Sequence, residues 1–87
     1  MNYANRLPVI VYTKNNCKQC DLTKAFLKRH GIPYREVNVE QDPDTLDKVK
    51  AMGYQQVPVV VVPFEYPTSG GHHWSGLQPD NLKRLLG

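Results

Sequence analysis

The alternation of short apolar runs with helical segments limits the fold of this 87-residue chain more than any other feature. Apolar or alternating residues predict four strands, and these cover residues 8–12, 34–39, 57–62 and 72–74. Helical patterns fill the intervals at residues 17–30, 42–53 and 78–87. The order β-α-β-α-β-β-α predicts an α/β fold with a parallel strand pair, a right-handed crossover and a terminal antiparallel hairpin. The length suits one domain, residues 1–87.

Each predicted helix has an apolar stripe that should face the core, and its ends carry recognisable signals. Gly31 and Pro33 predict the end of the first helix, and Asp42-Pro43 predicts the start of the second. The expected buried stripes are Leu22, Ala25, Phe26 and Leu27 in the first helix, Leu46, Val49 and Met52 in the second, and Leu82, Leu85 and Leu86 in the third. The run at 57–62 is the most apolar and predicts a central strand.

Composition and charge argue against several classes of protein. Hydrophobic residues make up 40% and charged residues 22% of the chain, as in ordinary globular domains. No run of 18 apolar residues is present, and residues 1–7 lack the apolar stretch of a secretory signal, so we expect a cytoplasmic protein without a membrane partner. The net charge of +3 comes from dispersed lysines and arginines, which does not favour nucleic-acid binding.

The only two cysteines form the motif Cys17-Lys18-Gln19-Cys20 at the predicted start of the first helix. Helical spacing places residues i and i+3 on one face, where two sulfurs can form a disulfide. Such a bridge closes a very small loop and constrains the unfolded chain little, so it is a poor structural staple. Unpaired N–H groups and the dipole at a helix N-terminus favour a thiolate, which is the nucleophilic form of cysteine. The motif therefore predicts thiol–disulfide chemistry.

The expected reaction uses the two cysteines in sequence. Cys17 attacks a disulfide of a partner protein, and Cys20, one turn later and more buried, displaces the reduced partner. Lys18 and Lys14 are candidates for further stabilising the Cys17 thiolate.

The sequence leaves other interpretations of the cysteines open. Cys17 and Cys20 could join His72 and His73 in a zinc site, although adjacent strand residues point to opposite faces and zinc-finger histidines are usually spaced by three to five residues. An iron–sulfur or zinc carrier using Cys17 of two subunits and a redox-inert binding module with two buried cysteines are further alternatives.

The sequence resembles the thioredoxin superfamily and, within it, the glutaredoxin-like NrdH-redoxins. The resemblance runs nearly end to end, and Trp74-Ser75-Gly76 beside a Val-Pro strand start is its most specific part. The other matching segments are Tyr12-Thr13-Lys14, the Cys17–Cys20 motif, Gly31-Ile32-Pro33-Tyr34, Val37-Asn38-Val39, Gly53-Tyr54, Gln56-Val57-Pro58-Val59-Val60 and Pro79-Asp80.

This resemblance implies a thioredoxin fold with a central four-stranded mixed sheet, and it implies roles for residues near the dithiol. Pro58 corresponds to the family's cis-proline, and the backbone of Val57 would pair with an extended substrate segment. Trp74 would be either a partner contact near the active site or a core tryptophan. The full set of residues expected to contact a partner is Val57, Pro58, Trp74, Ser75, Gly76, Lys14, Lys18 and Gln19.

The resemblance also implies partners. Members of this family are reduced by the NADPH-dependent flavoprotein thioredoxin reductase, and they reduce the large subunit of class Ib ribonucleotide reductase. We therefore expect a monomer without a bound cofactor or metal, to which NADPH supplies electrons indirectly. A glutathione-dependent glutaredoxin is the alternative, although Ser75-Gly76-Leu77 lacks the carboxylate that follows the glutathione-binding turn of true glutaredoxins. Residues 63–71 form a long hairpin connection, either an extended partner surface or a neutral insertion.

Overall fold

The predicted order of strands and helices is confirmed. The computed structural model describes residues 7–66 and 70–86. Its elements are β1 (Val9–Thr13), α1 (Lys18–Arg29), β2 (Tyr34–Asn38), α2 (Pro43–Ala51), β3 (Val59–Val61), β4 (His73–Ser75) and α3 (Pro79–Arg84). The third strand is shorter than predicted and starts after Pro58, and the fourth is shifted one residue towards Ser75.

The four strands form one mixed sheet in the order β2-β1-β3-β4. β1 pairs in parallel with β2, whereas the β1–β3 and β3–β4 pairs are antiparallel. The very apolar third strand is therefore central, as predicted. Because β1 ends at Thr13 and the antiparallel β3 starts at Val59, the loops that carry Cys17 and Pro58 emerge at the same end of the sheet.

Helices cover both faces of the sheet, which gives the thioredoxin-like layering that the resemblance implied. On one face, Leu27 of α1 and Leu82 of α3 pack in the cluster that contains Val11. On the other face, Val49 of α2 packs with Val59. Val9, Val11, Val59 and Val60 of the two central strands are thus buried, and burial of this kind is the main stabilising contribution to such a domain.

The predicted apolar stripe of α1 is partly wrong. The buried face consists of Cys20, Thr23 and Leu27, which follow one another at i, i+3 and i+7. Leu22 is 44% exposed and Ala25 also faces outward, because neither position falls on that face. The polar Thr23 is buried because its hydroxyl donates to the Gln19 carbonyl, 2.9 Å away.

The other two helices need smaller corrections. In α2 the buried residues are Thr45 and Val49, whereas Leu46 is 36% exposed. In α3, Leu82 and Leu85 are buried, whereas Leu86 is 44% exposed. Short helices on a small sheet bury a narrow stripe, so one flanking leucine in each remains at the surface.

The predicted start of α2 is confirmed. The side chain of Asp42 accepts a hydrogen bond from the backbone N–H of Asp44 at 3.2 Å, and Pro43 occupies the first helical position. The predicted end of α1 is also confirmed, since Gly31 adopts a φ of +67°, a conformation that glycine enters without steric cost.

The connection at 63–71 carries an unexpected core residue. Tyr66 is only 3% exposed and packs in the same cluster as Leu27, whereas Phe64 is 87% exposed. A Cβ on Gly70 would collide with the carbonyl oxygens of Phe64 and Tyr66, so the chain doubles back tightly there. Residues 67–69 of this connection lie outside the described part of the chain.

An ion pair joins α1 to the edge of the sheet. Lys24 Nζ lies 2.9 Å from Glu36 Oε2, and the hydroxyl of buried Thr13 donates to the same oxygen at 2.8 Å. The hydrogen bond from Lys24, with that from Thr13, holds the pKa of Glu36 below its ordinary value of 4.5. The same bond to Glu36 raises the pKa of Lys24 above 10.5.

We expect Glu36→Gln to lower the free energy of unfolding at pH 7 by less than about 1 kcal/mol, because the pair is partly exposed. The folded-state pKa of Glu36 is lowered, so this contribution is present above the ordinary value of 4.5 and is lost as the pH falls through the folded-state value. Urea unfolding of wild type and variant between pH 7 and pH 2 measures the difference. Lys24→Gln should remove the same pH-dependent contribution to the free energy of unfolding. A difference that grew on acidification would contradict the assignment.

Within residues 7–66 and 70–86, no helix is long and apolar enough to cross a bilayer.

Candidate active site

Cys17 lies at the N-terminus of helix α1. It is the N-cap residue, with extended backbone angles, and its sulfur accepts a hydrogen bond from the Cys20 backbone N–H at 3.1 Å. The helix proper starts at Lys18, one residue later than predicted. Any negative charge that develops on the Cys17 sulfur is thus directed at the positive end of the helix.

The two cysteines are joined by a disulfide, with their Cα atoms 5.2 Å apart. Their exposures differ, since Cys17 retains 8% of its accessible surface and Cys20 retains 1%. Cys17 also borders an open concavity of the surface, which Cys20 does not line. The predicted juxtaposition and the deeper burial of Cys20 are confirmed, and only Cys17 is presented to an incoming partner.

The loop before Cys17 is tied to the end of β2. The backbone N–H of Asn15 donates to Glu40 Oε1 at 2.6 Å, and Asn38 Nδ2 donates to Asn15 Oδ1 at 2.9 Å. Asn16 has a φ of +55°, in the left-handed region that asparagine tolerates better than most residues. The predicted elements leave Asn15 and Asn16 in a loop between the strand at 8–12 and the helix at 17–30. The Asn-Asn pair was the available signal for a tight turn, but its partners in β2 were not predictable.

The Val57–Pro58 peptide bond is cis, as the resemblance implied. Val57 borders the same concavity as Cys17. Among the described residues, neither the N–H nor the C=O of Val57 takes part in a hydrogen bond. An unpaired donor and acceptor beside the disulfide offer an extended peptide a place to add as a strand.

The concavity beside Cys17 has a polar and positively charged lining. Its residues are Lys14, Cys17, Lys18, Gln19, Gln56 and Val57. All of these except Gln56 were predicted from the sequence. Gln56 was not predicted, because the turn before Pro58 brings it next to Cys17, which is far away in sequence.

The segment from Ser75 to Leu77 forms another side of this region. The Ser75 hydroxyl donates to the Gln56 carbonyl at 2.8 Å, and the Gly76 N–H donates to the Pro58 carbonyl at 2.8 Å. Gln19 Oε1 accepts the Leu77 N–H at 3.2 Å, across 58 positions of sequence. The predicted residues Pro58, Ser75, Gly76 and Gln19 are therefore connected by direct hydrogen bonds or by neighbouring positions in one network.

Trp74 belongs to the interior. It is 6% exposed and lies in the same cluster as Val9 and Val60. Of its two predicted roles, the structure favours the core tryptophan, and the contact with a partner stays a prediction. β-strand alternation explains the outcome, because Trp74 pairs with Val60 and points to the same inner face.

The histidines do not join the cysteines. His73 instead lies against Tyr54, whose hydroxyl oxygen is 2.7 Å from His73 Nδ1. In the part of the chain that the structure describes, no group of three or more histidine, cysteine, aspartate or glutamate side chains is arranged to hold a metal ion.

Comparisons with known proteins agree with this geometry. Residues 9–66 match the family model of glutaredoxin. The glutaredoxin-like protein NrdH of Salmonella typhimurium is 38% identical over 79 residues, which cover 91% of this chain and 89% of that protein. That of Lactococcus lactis subsp. cremoris is 36% identical over 77 residues, covering 88% and 97%. The solved structure of Escherichia coli NrdH-redoxin superimposes with a TM-score of 0.79 at 33% identity, covering 91% of this chain and 95% of its own.

One family assignment agrees with the solved structures, the sequence relatives and the cysteine pair at the N-terminus of α1. The chain belongs to the glutaredoxin family, among its NrdH-redoxin members, and is a thiol–disulfide oxidoreductase.

Proposed function

We propose that this protein is a dithiol electron donor that reduces the large subunit of class Ib ribonucleotide reductase and is itself reduced by thioredoxin reductase with NADPH. The proposal extends what the NrdH resemblance implies to this chain. It is supported by the E. coli relative, whose structural report describes a thioredoxin-like activity profile. We further propose that the protein acts as a monomer in the cytoplasm, where a reducing environment keeps the dithiol available.

The reaction follows from the placement of the two sulfurs. In the reduced protein the Cys17 thiolate attacks one sulfur of the partner's disulfide, so a Cys17–partner bond forms and the partner's S–S bond breaks. The displaced partner sulfur leaves as a thiolate and takes up a proton. Cys20, as a thiolate, then attacks Cys17, forms the Cys17–Cys20 bond and releases the second partner thiolate. Two electrons pass to the partner, and the product is the oxidised form seen here.

The backbone of Val57 would hold the partner during this exchange. An extended segment that pairs with its N–H and C=O lies along the concavity, with its own sulfur directed at Cys17. Strand pairing recognises backbone rather than side chains, so it suits a donor that must accept the disulfides of different proteins.

The turn at Ser75–Leu77 is the reason why we expect this protein to be reduced by a flavoprotein reductase rather than by glutathione. In true glutaredoxins the corresponding turn and a following acidic residue hold glutathione. Here the Leu77 N–H is already occupied by Gln19 Oε1, and the next residue is Gln78 rather than a carboxylate. A glutathione carboxylate would have to displace an existing hydrogen bond, and the acidic residue that helps to hold glutathione in those enzymes is missing here.

Insulin reduction coupled to NADPH tests the proposal. With thioredoxin reductase we expect turnover at least about tenfold faster than with glutathione and glutathione reductase, a difference of about 1.4 kcal/mol in transition-state stabilisation. A bona fide glutaredoxin, run in parallel, controls for the competence of the glutathione arm. Faster turnover with glutathione would replace this proposal by the glutaredoxin alternative.

A further inference from the structure

We propose that the protein segments reduced at this site carry acidic residues next to their reactive cysteines, and that Lys14 and Lys18 select them. This inference rests on the proposed function, because it concerns the substrates of the same dithiol. It adds a chemical class of substrate that the fold alone does not specify.

The charge of the concavity is one-sided. Lys14 and Lys18 both line it and both are exposed, whereas its remaining lining is two glutamine amides, a cysteine and a valine. Within residues 7–66 and 70–86, no carboxylate lines it. In the described residues, both salt bridges are made by Lys24, so neither Lys14 nor Lys18 has an acidic partner within 4.0 Å.

Two acidic side chains of neighbouring segments contact other groups. Asp21, in the first turn of α1, lies 3.7 Å from Lys24. Glu40 accepts the backbone N–H of Asn15. The positive end of α1 adds to the two lysines rather than opposing them. A bound substrate therefore meets two lysine side chains and the positive end of α1 on the side where Cys17 attacks.

The position of the lysines relative to Cys17 indicates which substrate residues they would meet. Lys14 follows the end of β1 and Lys18 is the first residue of α1, so the two flank the nucleophile in sequence. A segment that pairs with Val57 would bring the residues beside its own cysteine close to these positive charges. Acidic residues there would speed the encounter and favour the correct register, and basic residues there would be repelled.

Single-turnover rates with designed peptides test this inference. Three disulfide-bridged peptides with the same Cys-x-x-Cys core are flanked by glutamate, glutamine or lysine, and the second-order rate constant for reduction by the pre-reduced protein is measured. At low salt we expect the glutamate peptide to react about tenfold faster than the glutamine peptide, and the lysine peptide to react slowest. In about 1 M salt, where the Debye length is about 3 Å, the ratio should fall to within about twofold.

A matched pair of variants locates the effect. The double variant Lys14→Gln/Lys18→Gln should bring the glutamate-to-glutamine ratio to within about twofold. Lys28→Gln/Arg29→Gln removes the same charge from exposed positions at the far end of α1 and should keep the wild-type ratio. Because each result is a ratio between peptides, any change in the reactivity of Cys17 itself cancels.

Each outcome separates the inference from the proposed function. Equal rates for the three peptides, or a ratio unaffected by salt, would overturn the inference while leaving the oxidoreductase activity intact. Failure to reduce any peptide would instead contradict the proposed function. Glutathione disulfide, which is also anionic, is the last substrate to be compared in this experiment. If it reacted faster than the glutamate peptide and with the same dependence on Lys14 and Lys18, the lysines would serve glutathione, and the assignment to protein segments would be wrong.

Discussion

Cys17→Ser is expected to lower disulfide reduction by about 10³-fold or more, because a serine hydroxyl at this position stays protonated at neutral pH and cannot form the mixed disulfide. The turbidity assay with insulin and thioredoxin reductase measures the loss. The structure supports this effect directly, since Cys17 borders the surface concavity and Cys20 is 1% exposed and does not.

Cys20→Ser is expected to behave differently, although it also stops turnover. Cys17 remains able to attack, so the covalent complex with the substrate accumulates and is visible by non-reducing electrophoresis and by intact mass. The double variant Cys17→Ser/Cys20→Ser should give no complex and serves as the control. Equal trapping by both single variants would show that the roles of the two cysteines are interchanged or shared.

Leu27→Ala is expected to cost about 3 kcal/mol in the free energy of unfolding. Leu27 is fully buried between α1 and the sheet, in the cluster that contains Val9 and Leu82. Removing three carbons loses the transfer free energy of the side chain and leaves a cavity that the close-packed neighbours fill only in part. Urea unfolding of the oxidised protein, in which the disulfide is the same for all variants, provides the measurement.

Leu22→Ala on the same helix is the matched control. The substitution is identical, but Leu22 is 44% exposed, and we expect a loss below about 1 kcal/mol. The comparison also tests the corrected orientation of α1. Similar losses for the two variants would restore the stripe predicted from sequence, in which both leucines face the core.

The features that sequence analysis predicted well depend on local spacing. The i, i+3 arrangement of Cys17 and Cys20, the start of α2 at Asp42-Pro43 and the alternation of strands with helices follow from backbone geometry within a few residues. The cis bond at Pro58 was predictable only through the family resemblance, because most bonds before proline are trans.

The features that escaped prediction depend on what each surface meets in three dimensions. Thr23 is buried instead of Leu22 because the direction of α1 over the sheet selects the face, and hydrophobicity alone ranks the two residues the other way. The bond between Gln19 and Leu77 spans 58 positions, and no local pattern signals it. Gln56 was missed for the same reason, because a turn whose shape no local pattern signals brings it to the site.

The burial of Tyr66 has a consequence for how this hairpin can change. A connection predicted to be either an extended partner surface or a neutral insertion contributes an aromatic side chain to the main core cluster. Trimming it to a tight two-residue turn would remove this side chain and leave a cavity about the size of a phenol ring in the core cluster. We therefore expect relatives with shorter hairpins to fill that volume with another large side chain, so that the length of this loop and the bulk of its neighbours vary together.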